Sequence, residues 1–172
     1  IDVLGNAYEY LIGQFAATAG KKAGEFYTPA GPAELLCRLA CLGLTDVKAA
    51  ADPTCGSGSL LLRLKNYAHI YNYYGQELTS TTYNLARMNM FLHNVDDAVI
   101  WHGDTLANPG NIENDKLMHF QCIVANPPFS LDKWDSGFLG DAETDAKGKK
   151  PKMSAELDPY RRFDWGIPPT SK

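Results

Sequence analysis

Four short apolar runs, each stopping at a polar residue, constrain this chain more than any other feature in it. Lys48-Ala49-Ala50-Ala51 runs into Asp52, and Asn72-Tyr73-Tyr74-Gly75-Gln76 runs into Glu77. Val99-Ile100-Trp101-His102 runs into Gly103-Asp104, and Phe120-Gln121-Cys122-Ile123-Val124-Ala125 runs into Asn126. Helical periodicity fills much of the space between them. Residues 80–92 carry Leu85, Met88 and Leu92 at helical spacing with Phe91 flanking, and a helix from Leu60 to about Ala68 follows the turn after Asp52. Strands alternating with helices predict an α/β domain built on a doubly wound, mostly parallel sheet. In such a sheet ligands collect at the carboxyl ends of the strands, which is where these polar residues fall.

Two more helices precede the first run. Residues 2–17 place Val3, Leu4, Ala7, Tyr10, Leu11 and Phe15 at helical spacing and stop at Gly20-Lys21-Lys22. The turn Gly24-Glu25-Phe26-Tyr27-Thr28-Pro29 then offers Thr28 as an N-cap and Pro29 as a first helical residue. A helix to about Leu42 is expected to turn Leu35, Leu36, Leu39 and Ala40 inward.

The 172 residues, 45% hydrophobic and 21% charged, suit one soluble globular domain with a real core. No apolar stretch approaches the roughly 18 residues needed to span a membrane. Cys37, Cys41, Cys55 and Cys122 form no CxxC pair and sit in apolar or motif contexts. They read as reduced, buried thiols of a cytoplasmic protein, with no metal-ligand spacing. The net charge is −4, and residues 1–130 hold eight basic against twelve acidic side chains. That balance argues against a module that grips nucleic acid unaided, though not against one whose partner supplies the grip. The chain opens on Ile1 already in helical register, so it reads as a piece of something larger.

The chemistry concentrates in two segments. Asp52-Pro53-Thr54-Cys55-Gly56-Ser57-Gly58 ends a strand and opens a helix, and its glycines permit a tight turn and close ligand approach. A dinucleotide site would want G-x-G-x-x-G, but Leu61 holds the third position and Asp52 would repel a pyrophosphate. An acid there suits an amine or a cation instead. Glu77, at the next strand end, stands where a carboxylate accepts from ribose hydroxyls. Asp104, at the third, could accept from an adenine amino group or simply form a turn after Gly103. An amine, a sulfonium, a ribose and an adenine together describe S-adenosylmethionine.

The second segment is Asn126-Pro127-Pro128-Phe129. Asn126 offers a side-chain acceptor and the Pro127 carbonyl a second one. The prolines stiffen the turn, and Phe129 presents a stacking face. The set suits a planar base bearing an exocyclic amine.

Together these two segments resemble the amino-methylating DNA methyltransferases. The Gly24–Pro29 turn, the amino-terminal helix and Arg162-Phe163-Asp164-Trp165-Gly166-Ile167-Pro168-Pro169 are similar to the modification subunit of type I restriction–modification systems. The resemblance implies a Rossmann-like, S-adenosylmethionine-dependent methyltransferase fold, here truncated after the fourth strand. It implies transfer of a methyl group to N6 of a flipped-out adenine in double-stranded DNA. Partners would be a DNA-specificity subunit, which holds the recognition sequence, and a restriction endonuclease subunit. By the resemblance Glu25, Phe26, Tyr27 and Thr28 border the methionine end of the cofactor. Asp52, Cys55, Gly56, Ser57 and Gly58 form the turn beneath it, and Glu77 holds the ribose. Asp104, Thr105 and Leu106 flank the adenine, and Asn126, Pro127, Pro128 and Phe129 hold the target base.

Three parts are expected: residues 1–29 as helix and cofactor-motif turn, 30–130 as the cofactor-binding core, and 131–172 as a polar substrate-side loop. Within the last, 132–159 reads as a solvated loop or as one that orders on a phosphate backbone. Pro159–Gly166 interleaves aromatics with arginines, suited to stacking and phosphate contact or to packing against the domain. Two other readings stand beside DNA methylation: a non-catalytic cofactor-binding scaffold, and a protein-glutamine methyltransferase. The second usually carries Tyr where this chain has Phe129.

Overall fold

A computed structural model describes residues 3–19, 27–128, 134–135 and 154–169 of the chain. In chain order they form helix α1 (Val3–Ala19), helix α2 (Ala30–Ala40), strands β1 (Asp46–Val47) and β2 (Ala50–Asp52), and helix α3 (Ser59–Arg63) with a 3-10 turn over Leu64–Asn66. Strands β3 (His69–Ile70) and β4 (Tyr73–Glu77), helix α4 (Ser80–Leu92) and strand β5 (Val99–His102) follow. The hairpin β6 (Ile112–Glu113) and β7 (Lys116–Leu117) precedes β8 (Cys122–Ile123). A short 3-10 turn covers Ala155–Leu157.

The principal sheet has the order β5-β4-β2-β8 and is parallel throughout. Two steps outward, β2–α3–β4 and β4–α4–β5, are followed by a return across the sheet to place β8 on the far side of β2. The chain reverses direction at β2, which makes its carboxyl end the topological switch point. Asp104, Glu77, Asp52 and Asn126 consequently follow one another across the carboxyl edge.

The core lies between this sheet and helices α2, α3 and α4. Leu61, Leu64, Val47, Met90 and Cys37 are fully buried in it. Gly75 in β4 lets Cys55 and Ile100 close over the strand: a Cβ there would stand 2.9 Å from Ile100 Cδ1 and 3.0 Å from Cys55 Sγ. On the opposite sheet face Tyr74 stacks on Trp101 at 5.8 Å and Phe120 tilts against Tyr74 at 5.3 Å. All four cysteines are buried free thiols. Among the described residues no helix is long and apolar enough to cross a membrane.

The α/β alternation and all four principal strands stand where the sequence placed them, with two strands shorter. Only Cys122–Ile123 of the run 120–125 and Ala50–Asp52 of the run 48–52 pair in the sheet. The two-residue parallel pair β1–β3 and the hairpin β6–β7 lack the length to show as apolar runs and were not expected. The helix read as 60–68 gives way to 3-10 geometry at Leu64.

Which helical face points inward is corrected in α2, where of the four residues expected inward only Ala40 packs against the core. In α2 it is Ala33 and Cys37 that are buried, while Leu35 and Leu39 are about 60% exposed and Leu36 is also exposed. In α4 the buried residues are Thr82, Ala86, Asn89 and Met90, with Met88 and Phe91 exposed. Close neighbours, α3 beside α2 and strands β4 and β5 beside α4, favour small residues such as Ala33, Cys37 and Ala86 in the interface, and Leu35, Leu39 and Phe91 are left on the outer faces. Helix α1 follows this pattern in part: Gly5 and Ala16 are buried together with the larger Ile12, whereas Val3, Leu4, Leu11 and Phe15 are exposed. It packs against α4.

Gly75→Ala should destabilise the protein by about 1–3 kcal/mol, because the methyl enters a filled space between Ile100 and Cys55. A denaturant midpoint unchanged from wild type would contradict this packing.

Candidate active site at the carboxyl edge

The turn after β2 is held from below by the neighbouring strand. Cys55 N–H donates to the Gln76 carbonyl at 2.9 Å, and Gly58 N–H closes the turn onto the Cys55 carbonyl at 2.8 Å. Gly56 and Gly58 both take positive φ, +55° and +79°, a region that suits glycine. At Gly58 an added Cβ would also meet Met90 Cε at 3.0 Å. Glu77 then fixes the turn from the side. Its Oε2 accepts the Gly56 N–H at 3.1 Å and its Oε1 accepts the Thr79 N–H at 2.8 Å. Each oxygen keeps a further lone pair for a ligand.

Asp52 is 1% exposed and accepts the Thr54 N–H at 2.9 Å. Burial drives its carboxyl up from 3.8 to about 7; the Thr54 N–H offsets part of this, and the nearby Glu77 charge adds to it. Among the described residues no Lys or Arg pairs with it. A buried acid with no cation of its own is a site poised to take one from a ligand. Burial also pushes the Cys55 thiol well above its ordinary value, with the Asp52 charge adding to the effect. The side chain of Cys55 fills space over Gly75 and is unreactive. Ser57 is buried, its hydroxyl bonded to that of Ser59 at 2.8 Å.

One cleft brings together Tyr27, Thr28, Asp52, the turn Thr54–Ser57 and Asn126. Here the sequence expectation for Thr28 needs correcting. The residue at the cap of α2 is Pro29, with no side-chain cap, and α2 starts at Ala30. The Thr28 hydroxyl instead accepts a hydrogen bond from Asn126 Nδ2 at 3.2 Å, across 98 positions of chain. With the amide nitrogen engaged there, Asn126 Oδ1 is left to accept from something else. Pro127 and Pro128 are exposed beside it. Glu25, Phe26 and Phe129, and the stretch Lys147–Lys152, lie outside the described residues.

Asp104 forms a turn, its Oδ1 accepting the N–H groups of Leu106 at 2.9 Å and Ala107 at 3.2 Å. The Thr105 hydroxyl donates to the Pro53 carbonyl, tying this loop to the turn after β2. Sequence reasoning missed how the loop is held from outside. Arg162 Nη1 donates to the Thr105 carbonyl at 3.0 Å and Nη2 to the Leu106 carbonyl at 2.6 Å. The same guanidinium forks onto Asp158, with Nη2–Oδ1 at 2.9 Å and Nε–Oδ2 at 3.1 Å. Asp158 is buried, which alone would push its carboxyl up. Arg162 and the N–H groups of Arg162 and Tyr160 outweigh that and hold it below the ordinary carboxylate range. Of the two readings left open for Pro159–Gly166, packing against the domain describes Arg162. Phe163 is buried as well and lies 5.5 Å from Trp134. Arg161 is mostly exposed and pairs with Asp164. The only signal in the sequence was the i, i+4 spacing of Asp158 and Arg162, which does not point to the carbonyls they meet.

A parallel α/β sheet with a glycine turn and an uncompensated acid at its switch point defines a Rossmann-like ligand-binding domain. The comparisons make it more particular. Residues 1–162 match the family model described as N-6 DNA Methylase, and the chain belongs to that family. It is 44% identical over 91% of its length to the methylase subunit of the type I restriction enzyme MpnII from Mycoplasma pneumoniae, covering 32% of that protein. It is 32% identical over 99% of its length to the HindI methylase subunit from Haemophilus influenzae, covering 39%. The chain thus spans roughly a third of the length of these relatives. The crystal structure of a type I restriction–modification methyltransferase subunit from Streptococcus thermophilus superposes with a TM-score of 0.67 at 44% identity, over 91% of this chain and 34% of that one. An O-methyltransferase from Bacillus cereus, 19% identical with a TM-score of 0.54 over 76% of this chain and 56% of that one, shares the fold. The fold is the Rossmann-like methyltransferase fold.

The raised Asp52 carboxyl has a consequence for stability. Its folded value lies above the unfolded one, so the folded state holds the proton more tightly. Stability should be full below about pH 4 as far as this group is concerned, and fall by a few kcal/mol as pH rises through about 7. Asp52→Asn should flatten that decline in denaturant midpoints taken between pH 5 and 8. An equally steep decline in the variant would assign it to another group.

Proposed function

We propose that this chain carries the cofactor-binding core and catalytic turn of a DNA adenine-N6 methyltransferase, the modification subunit of a type I restriction–modification complex. The observation that carries the reading is the Thr28–Asn126 hydrogen bond beside the buried Asp52. It presents a fixed amide acceptor next to a place prepared for a cationic ligand. S-adenosylmethionine fits this donor set, since its ammonium and sulfonium complement an acid that lacks a cation and its ribose hydroxyls suit the spare lone pairs of Glu77. When bound, it supplies an electrophilic methyl group on sulfur.

The residues of the chain would then do the following. Tyr27 and Asp52 border the amino-acid end of the cofactor, and Gly56 and Gly58 allow it to approach the backbone. Asp104 retains Oδ2 for an adenine amino group, and Thr105 and Leu106 lie beside it. Asn126 Oδ1 and the Pro127 carbonyl accept the two hydrogens of the target amine. An aniline-like nitrogen is a weak nucleophile because its lone pair is delocalised into the ring. Two acceptors favour a more tetrahedral nitrogen as attack begins, and that gain falls mainly in the transition state. Unstacking the target base costs a few kcal/mol, part of which stacking on Phe129 would offset.

In the proposed setting the partners are double-stranded DNA, a DNA-specificity subunit and a restriction subunit, in the cytoplasm. The acidic balance of residues 1–130 fits a module whose grip on DNA comes from such partners. The family's description as N-6 DNA Methylase, and the relatives' as methylase subunits of type I restriction enzymes, count against a protein-glutamine substrate and against a scaffold role.

In the complete enzyme, Asn126→Ala should lower methyl transfer to DNA by about 10²–10³-fold or more. S-adenosylhomocysteine affinity, measured by calorimetry, should stay within about twofold, because the amide lies on the base side. Near-normal turnover would remove Asn126 from the mechanism. Thr28→Val keeps the shape but removes the acceptor that orients the amide, and should reduce turnover by about tenfold. Turnover equal to wild type would show that the amide needs no such orientation.

A further inference from the structure

Helix α1 meets the rest of the domain along Gly5, Glu9, Ile12, Gly13 and Ala16, a mostly apolar stripe with one carboxylate in it. Tyr27 lies beside Gly13, where an added Cβ would make ordinary contact with its hydroxyl at 3.5 Å. Glu9 reaches across this contact to two other elements. Its Oε1 accepts from the Ser59 hydroxyl at 2.6 Å and from Asn89 Nδ2 in α4. Asn89, fully buried, also donates to the Ser57 carbonyl at 3.1 Å. Because Ser59 gives its proton to Glu9, its oxygen must accept from Ser57 in their 2.8 Å contact. The proton order therefore runs from Ser57 through Ser59 to Glu9, and it ends on the carboxylate oxygen that also accepts from Asn89.

Both amide hydrogens of Asn89 are committed, one to Glu9 and one to Ser57. Its Oδ1 is buried without a partner among the described residues. A buried amide left partly unsatisfied is held in place by what it donates to, so Glu9 sets its orientation. Ser57 lies in the turn between β2 and α3 and Ser59 opens α3, and both line the cleft that contains Asp52 and Asn126.

We propose that Glu9 is a positioning residue for this turn, coupling the amino-terminal helix to cofactor affinity. The inference rests on the cofactor reading given above. Without the carboxylate, the Ser59 hydroxyl and one Asn89 hydrogen lose their acceptor in a buried site, and Ser57 is free to relax with them. Gln at position 9 keeps a carbonyl oxygen that can accept from both.

The test uses the complete modification subunit at a temperature where circular dichroism shows each variant folded. In calorimetric titrations with S-adenosylhomocysteine, Glu9→Ala should bind about tenfold more weakly and Glu9→Gln within about threefold of wild type. Hydrogen exchange supplies the readout that a merely structural role would not move. The ligand should slow exchange of α1 amides in wild type and Glu9→Gln, and not in Glu9→Ala, since coupling between two sites is reciprocal. Should Glu9→Ala fail to fold, Ser59→Ala cuts the same link from the other side and should weaken binding several-fold. Wild-type affinity in the folded Ala variants would overturn the role of Glu9 alone. A folded wild-type subunit that binds no S-adenosylhomocysteine would overturn the cofactor reading and this inference with it.

Discussion

The carboxylate of Glu77 reinforces the joint between the ends of β2 and β4, which the backbone already ties through the Cys55 N–H and the Gln76 carbonyl. By accepting from Gly56 N–H on one side and Thr79 N–H on the other, it fixes the turn after β2 against the start of α4. Those N–H groups sit where helix and turn geometry leaves donors unsatisfied, so the acid meets a need that the fold itself creates. The rest of the carboxyl edge is built outward from that point. Asp52 lies on the adjoining strand, the loop at Asp104 reaches back to Pro53 through Thr105, and Asn126 completes the row.

The arrangement combines rigidity with one deliberate electrostatic cost. Backbone groups around the turn are paired, and Cys55, Gly75 and Ile100 pack beneath it without room to spare. Asp52 is the exception: an acid kept out of water with no cation to match it among the described residues. Natural proteins accept such local penalties at sites that bind something, and here a small, well-packed core carries the cost.

The sequence revealed the parts of the fold that depend on long-range alternation and on strand ends, since each of the four runs is terminated by a side chain whose chemistry stands out. It concealed what depends on distance of approach. Leu35 and Leu39 promised an inward face for α2, yet Ala33 and Cys37 take it because the helix lies close to its neighbours. Hydrophobic periodicity finds a helix but cannot by itself tell which of two apolar stripes is buried. Thr28 was legible as a polar residue before a helix, and its role changed only when Asn126, 98 positions away, came within reach of it. Short strands such as β1 and β3 are held by pairing with each other and leave no trace in composition. The hydrogen bonds of Glu9, and those of Arg162 to Thr105 and Leu106, are likewise invisible in one dimension, because their partners lie on other elements.

Arg162 makes the segment 154–169 a structural neighbour of the loop at Asp104. One planar group grips the buried Asp158 and the carbonyls of Thr105 and Leu106 together, in a geometry that a flexible ammonium could not reproduce. Trp165, fully exposed three residues further on, thus stands on a segment whose tie to the loop at Asp104 runs through that one guanidinium. Replacing Arg162 would leave the Asp158 carboxylate buried without this cation and the loop without its outer tie.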